Sequence, residues 1–171
     1  MIRLLFVAVG GLLIVDGLAA DEPLPAPQTY TIYSNNKRFQ AVLDAQRLVT
    51  TIYRVAISKG EPAAKLWEMP GWFRVAALAD DGEHLVTGYD GGNLLRMHDT
   101  DDETMLTFYR KGSPIRRVPL REIIPDRKVL RRTVSHYLWG SCRGFDAKGR
   151  FLVQTVDGRE IAYDPMTGRA R

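Results

Sequence analysis

The chain has 171 residues, 45% of them hydrophobic and 26% charged, enough apolar content for one globular domain with a sizeable core; this excludes a disordered polymer and a polytopic membrane protein. A net charge of +4 is mild and serves solubility alone, so the overall balance does not point to nucleic acid. The single cysteine, Cys142, cannot make an internal disulfide, so stability must come from the core.

The chain opens with the pattern of a secretory signal peptide. Arg3 supplies a positive charge, residues 4–15 form a short apolar run, and Gly17, Ala19 and Ala20 provide the small residues a signal peptidase needs. The run is too short for a spanning helix, and Asp16 would be costly at a bilayer centre. Residues 1–20 are therefore expected to be removed, and the mature chain to work in the periplasm or outside the cell with no stable membrane span; an uncleaved anchor is the alternative. Residues 21–28 (DEPLPAPQ) form a Pro-rich linker without periodicity, leaving 29–171 as a single all-β domain.

In chain order, strands are predicted over 29–33, 39–43, 48–57 and 65–69, with turns at 34–37 and 44–46 and a loop over 58–63 that holds Gly60 and Pro62. Four apolar runs of strand length follow over 73–78, 84–88, 93–98 and 105–110. They are separated by Asp80-Asp81-Gly82, Asp90-Gly91-Gly92 and residues 99–103. Asp-Gly between apolar runs is a strong hairpin signal because tight turns want residues that tolerate positive φ. Residues 110–132 are the least regular part, with a helical turn allowed at 120–124. Residues 129–139 read as one long strand or two short ones, and strands at 151–156 and 160–163 flank Asp157-Gly158. The final Asp164–Gly168 turn has no following strand assigned.

These pieces repeat. Asn36, Gly82 and Gly149 share the first-turn position, and Asp44, Asp90 and Asp157 come eight residues later. The stretch 67–110, with its apolar strand, Asp-Gly turn, Leu-Val-Thr-Gly strand and second Asp-Gly turn, resembles one blade of a WD40-type β-propeller. The resemblance implies architecture and no chemistry. It covers about three units, the last with three strands, whereas propellers close with about four to eight blades. The expected fold is thus all-β: an antiparallel meander of blade-like four-stranded units, as an incomplete propeller, an open sandwich or a partial barrel. Two copies completing one ring is the alternative, since an unpaired edge needs protection or a partner.

Few residues suggest chemistry. If the Asp90-Gly91-Gly92 loop joins adjacent strands, His84 and His98 face one another and, with Asp99, offer a weak zinc set. A one-residue change of register dissolves that set. The acidic loop 99–103 reads as solvated acids, lacking the Gly and distant Glu of a calcium loop. Ser135 and His136, as neighbours on a strand, would point to opposite faces and form no dyad. Within the basic stretch 110–132, Arg116, Arg117, Arg131 and Arg132 are candidates for a polyanion, but no interleaved aromatics are present to stack on bases, and no nucleic-acid partner is expected. Trp67, Trp72 and Trp139 sit beside Gly or Pro and are read as packing residues, with a sugar-stacking role as the alternative. Cys142 is read as a small apolar residue within a strand. No catalytic motif is present and no cofactor is expected. The leading expectation is a non-enzymatic β-repeat binding or structural module with a protein or cell-envelope partner. An envelope metal-dependent hydrolase near His84 and His98, or a polyanion binder, is the alternative.

Overall fold

The computed structural model describes residues 24–56 and 63–171. The expected leader, the first residues of the Pro-rich linker and most of the 58–63 loop lie outside the described residues.

Strands β1 (Tyr30–Tyr33), β2 (Phe39–Asp44), β3 (Val49–Arg54) and β4 (Ala64–Pro70) form a first antiparallel sheet in sequence order. Strict alternation explains β2: Phe39, Ala41 and Leu43 are buried, while the residues between them are half-buried. The β2–β3 turn is held by Asp44, whose Oδ1 accepts from the backbone N–H groups of Gln46 and Arg47 at 2.9 and 3.0 Å.

The second sheet departs from expectation. Strands β5 (Ala76–Leu78) and β6 (His84–Gly88) pair as predicted. The segment after the Asp90-Gly91-Gly92 turn, however, does not return along β6. It forms a short strand β7 (Leu94–Arg96) outside the sheet, and the partner of β6 is β8 (Thr104–Arg110), followed by β9 (Ser113–Pro119). Length decides the competition. Residues 104–110 supply a seven-residue run, whereas β7 has three residues before Asp99 turns the chain by accepting from the Arg96 backbone N–H at 3.0 Å. The sheet therefore runs β5-β6-β8-β9, and residues 89–103 are an insertion between its central strands.

A helical turn α1 (Leu120–Ile123) precedes Pro125, as expected, and a 3-10 turn at Arg127–Val129 follows. Two short strands come next, β10 (Arg131–Arg132) and β11 (His136–Leu138), and β11 pairs with the displaced β7. The last sheet is β12 (Gly140–Phe145), β13 (Phe151–Thr155) and β14 (Glu160–Tyr163). The Asp164–Gly168 turn does fold back. Tyr163 bridges Ala170, and the Arg171 N–H donates to the Ala162 carbonyl at 2.9 Å, so residues beyond the turn begin a fourth rung.

Sheets stack face to face through two apolar cores. Phe39, Leu43, Ile52 and Met69 of the first sheet meet Leu78 and Leu85 of the second. Val86, Leu106, Phe108 and Val118 on the other face of the second sheet meet Trp139 and, from the last sheet, Phe151, Val153 and Tyr163. The middle sheet is thus buried on both faces. Gly82 fastens the first junction: at φ +69° it carries no side chain, and a Cβ there would lie 2.4 Å from the Phe39 ring. Its carbonyl accepts from Trp67 Nε1 at 2.8 Å. The architecture is all-β, with antiparallel sheets and no closed barrel among the described residues, of propeller-like or sandwich type.

Candidate functional site

Side chains alternate along β6, so Leu85 and Thr87 share the face turned toward the first sheet. Leu85 is covered by that sheet, but Thr87 lies at the end of the strand, where a cleft of about 710 Å³ opens. Thr87 and its cross-strand partner Thr107, which are 4% and 7% exposed, line the cleft together with Thr104. Phe73 and Tyr109, with ring centroids 6.1 Å apart, line one wall. The 89–103 insertion makes the opposite wall, presenting Tyr89, Arg96 and Glu103, and His136 joins from β11.

Several bonds brace the insertion. Tyr89 donates its hydroxyl to Asp99 Oδ2 at 2.5 Å, and Arg96 Nε donates to Asp99 Oδ1 at 2.9 Å. Burial, and then the Asp99 carboxylate, push the Tyr89 phenol up to about 12. Trp139 Nε1 donates to the Gly92 carbonyl at 2.7 Å, and Arg74 Nε donates to the Asp90 carbonyl at 3.1 Å. Arg127 Nη1 donates both to the Asp99 carbonyl and to Asp101 Oδ1, at 3.1 and 2.9 Å. The wall is held by side chains from the segment before β5, from the 3-10 turn and from the residue after β11.

The end of the Pro-rich linker crosses the mouth of this cleft. Leu24 lines it, Pro25 accepts from Arg74 Nη1 at 2.9 Å, and Gln28 accepts from Trp72 Nε1 at 2.9 Å. Sequence reasoning treated this segment as a lead-in without a place in the fold; its carbonyls in fact meet side-chain donors.

The residues singled out by sequence disperse. His84 is buried with Nδ1 2.6 Å from Asp81 Oδ2, and the strand register sets it opposite Arg110. His98 is exposed in the turn after β7, a strand that pairs with β11. Asp99 is buried and bonded to Tyr89 and Arg96, so the register that would gather His84, His98 and Asp99 does not occur, and no group of three or more metal-ligating side chains forms among the described residues. Nor is the acidic loop uniformly solvated: beyond the buried Asp99, Asp101 pairs with Arg127 and Asp102 with Arg121.

Ser135 and His136 also correct the expectation. Ser135 precedes β11 in a bend, where strand alternation does not apply, and its Oγ lies 2.9 Å from His136 Nδ1. Of the basic candidates, Arg116 is engaged with Glu122 and with the Gly168 carbonyl, while Arg117 is exposed on the opposite face of β9. Arg131 and Arg132 are exposed on β10. Cys142 packs half-buried against the second core, and burial pushes its thiol up to about 12.

Sequence reasoning did not single out Thr87, Thr107, Tyr89, Arg96 or Glu103. The usable signal was a threonine within largely apolar strands, next to the end of β6 at Thr87 and in the middle of β8 at Thr107.

No protein-family description matches this chain, and no curated protein matches it. Among solved structures it is similar to the Pseudomonas aeruginosa periplasmic gluconolactonase PpgL, with 15% identity and a TM-score of 0.40. The match covers 86% of this chain and 39% of that one, so the chain spans well under half the length of the structure it matches.

Proposed function

We propose that this chain is a non-enzymatic binding module of the cell envelope or extracellular space, which receives its ligand in the cleft at the end of β6. The observation that carries the reading is the cleft itself. Threonine side chains and Tyr109 sit on the central strands β6 and β8, and Phe73 completes an aromatic wall from the segment before β5, which is the composition of a preformed binding site. The buried acid of the cleft wall supports the same reading, because it is spent on structure: Asp99 holds Tyr89 and Arg96. The location rests on the leader-like residues 1–20.

Thermal-shift screening of the mature chain against polar small molecules tests the reading, with Thr107→Leu as the cleft-filling variant. A ligand at about a hundred times its Kd stabilises by about 2.7 kcal/mol, a rise of roughly 5–10 °C for a domain of this size. The rise should vanish in Thr107→Leu. A rise that survives in the variant would move the site elsewhere. Because Ser135 Oγ touches His136 Nδ1 beside the cleft, activated esters belong in the panel. Turnover abolished by Ser135→Ala would overturn the non-enzymatic part of the proposal. The solution mass of the chain tests ring completion by a second copy.

A further inference from the structure

Pro25 and Pro27 fix their own φ angles, and Leu24 and Ala26, each preceding a proline, are driven to extended geometry. The arm over residues 24–28 is therefore extended by covalent constraint and has little entropy to lose on docking. Prolines have no N–H, so carbonyls are the handle such a segment offers. In a helix of three residues per turn, carbonyls three residues apart face the same way. Pro25 and Gln28 are so spaced, and those two carbonyls meet Arg74 Nη1 and Trp72 Nε1, each at 2.9 Å.

The ledge that reads them is built by the framework. Arg74 is aimed by its bond to the Asp90 carbonyl and by stacking 5.3 Å over the Trp72 ring. Trp72 is set by the edge of Tyr30 at 6.1 Å, and Tyr30 is fixed through its hydroxyl to the Phe73 carbonyl at 2.5 Å. Beyond the ledge, Leu24 reaches the cleft but stays 44% exposed, with the 710 Å³ of cleft still open beside it.

We propose that the Trp72–Arg74 ledge and the adjoining cleft form a docking surface for an extended, proline-rich polypeptide that presents a leucine, and that the chain's own residues 24–28 occupy it in cis. The proposal rests on the cleft being a binding site and names its partner class. The cis arm competes with the partner; two side-chain hydrogen bonds and one half-exposed leucine hold it, so a better-fitting segment displaces it.

The test uses the full chain and a capped synthetic peptide of its residues 21–29 carrying a fluorescent label, followed by the polarisation of the label. Leu24→Ser weakens the cis arm at an exposed position. Peptide should bind this variant about tenfold more tightly than the wild type, the effect of removing a leucine anchor from the competitor. Arg74→Met and Trp72→Phe, each added to Leu24→Ser, should weaken binding again by about tenfold, and a peptide with its leucine changed to serine should bind poorly. The phenylalanine variant keeps an aromatic ring and removes the donor, so it remains informative if the arginine variant disturbs the insertion. Peptide that does not bind Leu24→Ser, that binds wild type equally well, or that ignores the Arg74 and Trp72 changes overturns the inference. If small-molecule shifts still vanish in Thr107→Leu while the peptide fails, the cleft reading stands and this inference alone falls.

Discussion

Asp99 is the member of the cleft wall whose removal has the most calculable effect. Its side chain is 2% exposed and accepts from the Tyr89 hydroxyl, from the Arg96 backbone N–H and from Arg96 Nε. In Asp99→Ala the Tyr89 hydroxyl and the Arg96 N–H lose their acceptor, and an unsatisfied buried donor costs about 1–3 kcal/mol. The guanidinium bond adds little, because Arg96 is 52% exposed and solvent screens the pair to roughly 0–1 kcal/mol. The expected loss is about 2–4 kcal/mol, a fall in Tm of about 5–15 °C for a domain of this size. Tyr89→Phe removes the hydroxyl while Asp99 keeps its Arg96 bonds, and should cost about 1 kcal/mol. Urea unfolding of both variants and of the double variant supplies the cycle. Coupling of roughly 1 kcal/mol or more is expected between directly bonded partners. A loss below about 0.5 kcal/mol in Asp99→Ala, or strict additivity, would refute the bracing role. Burial of the phenol, and then the same bond, predict a pH effect. The Tyr89 phenol is raised from 10.0 to about 12 in the folded chain, so its contribution is complete below pH 10.0 and lost as pH rises through about 12. Tyr89→Phe should flatten the alkaline limb of stability against pH.

Gly140→Ala should be strongly destabilising, by about 2 kcal/mol or more, because its Cβ would lie 2.3 Å from the Gln154 carbonyl at φ +151°; Gly149→Ala, with nothing within 4 Å, should show strain alone in the same urea titration. Cys142, its thiol pushed up to about 12 by burial, should resist a disulfide reagent near pH 8 until denaturant is added, and rapid labelling of folded protein would contradict its packing. Acid should unfold the chain through its turns. Asp44, Asp146 and Asp157 are held below their ordinary 3.8 chiefly by the Arg47 N–H, the Arg150 N–H and the Thr155 hydroxyl respectively, so their contribution is present above that pH and lost as pH falls below it. Asp146→Asn should flatten the acid limb of the unfolding midpoint, and an unchanged slope would sink the attribution.

Much of the strand pattern was legible, for local reasons. Alternation located Phe39–Asp44, and apolar runs between Asp-Gly turns located His84–Gly88 and Glu160–Tyr163 almost to the residue. What failed was choosing between two candidates for one partner. Asp90-Gly91-Gly92 carries a hairpin's chemistry, yet which segment zips onto β6 depends on how long a run each can offer and what lies behind it, information spread over residues 94–110. That single error misplaced His98 and with it the metal set. β9 was hidden differently. Its Arg116-Arg117 pair and terminal prolines look like loop composition, but they are what an edge strand carries to discourage pairing with other chains. The cleft stayed invisible because its residues come from β6, β8, the insertion and β11, and no spacing in the chain announces their convergence.

The transfer of β7 to β11 has a consequence for the order in which the protein becomes competent. Residues 94–96 find their partner only at residues 136–138, and the Trp139 indole that clamps Gly92 comes later still. As the chain leaves the ribosome, the first two sheets can complete their shared core while the wall bearing Arg96 has nothing to lean on. The cleft thus reports on assembly: a chain whose Arg96 wall is in place has already docked β11 and Trp139.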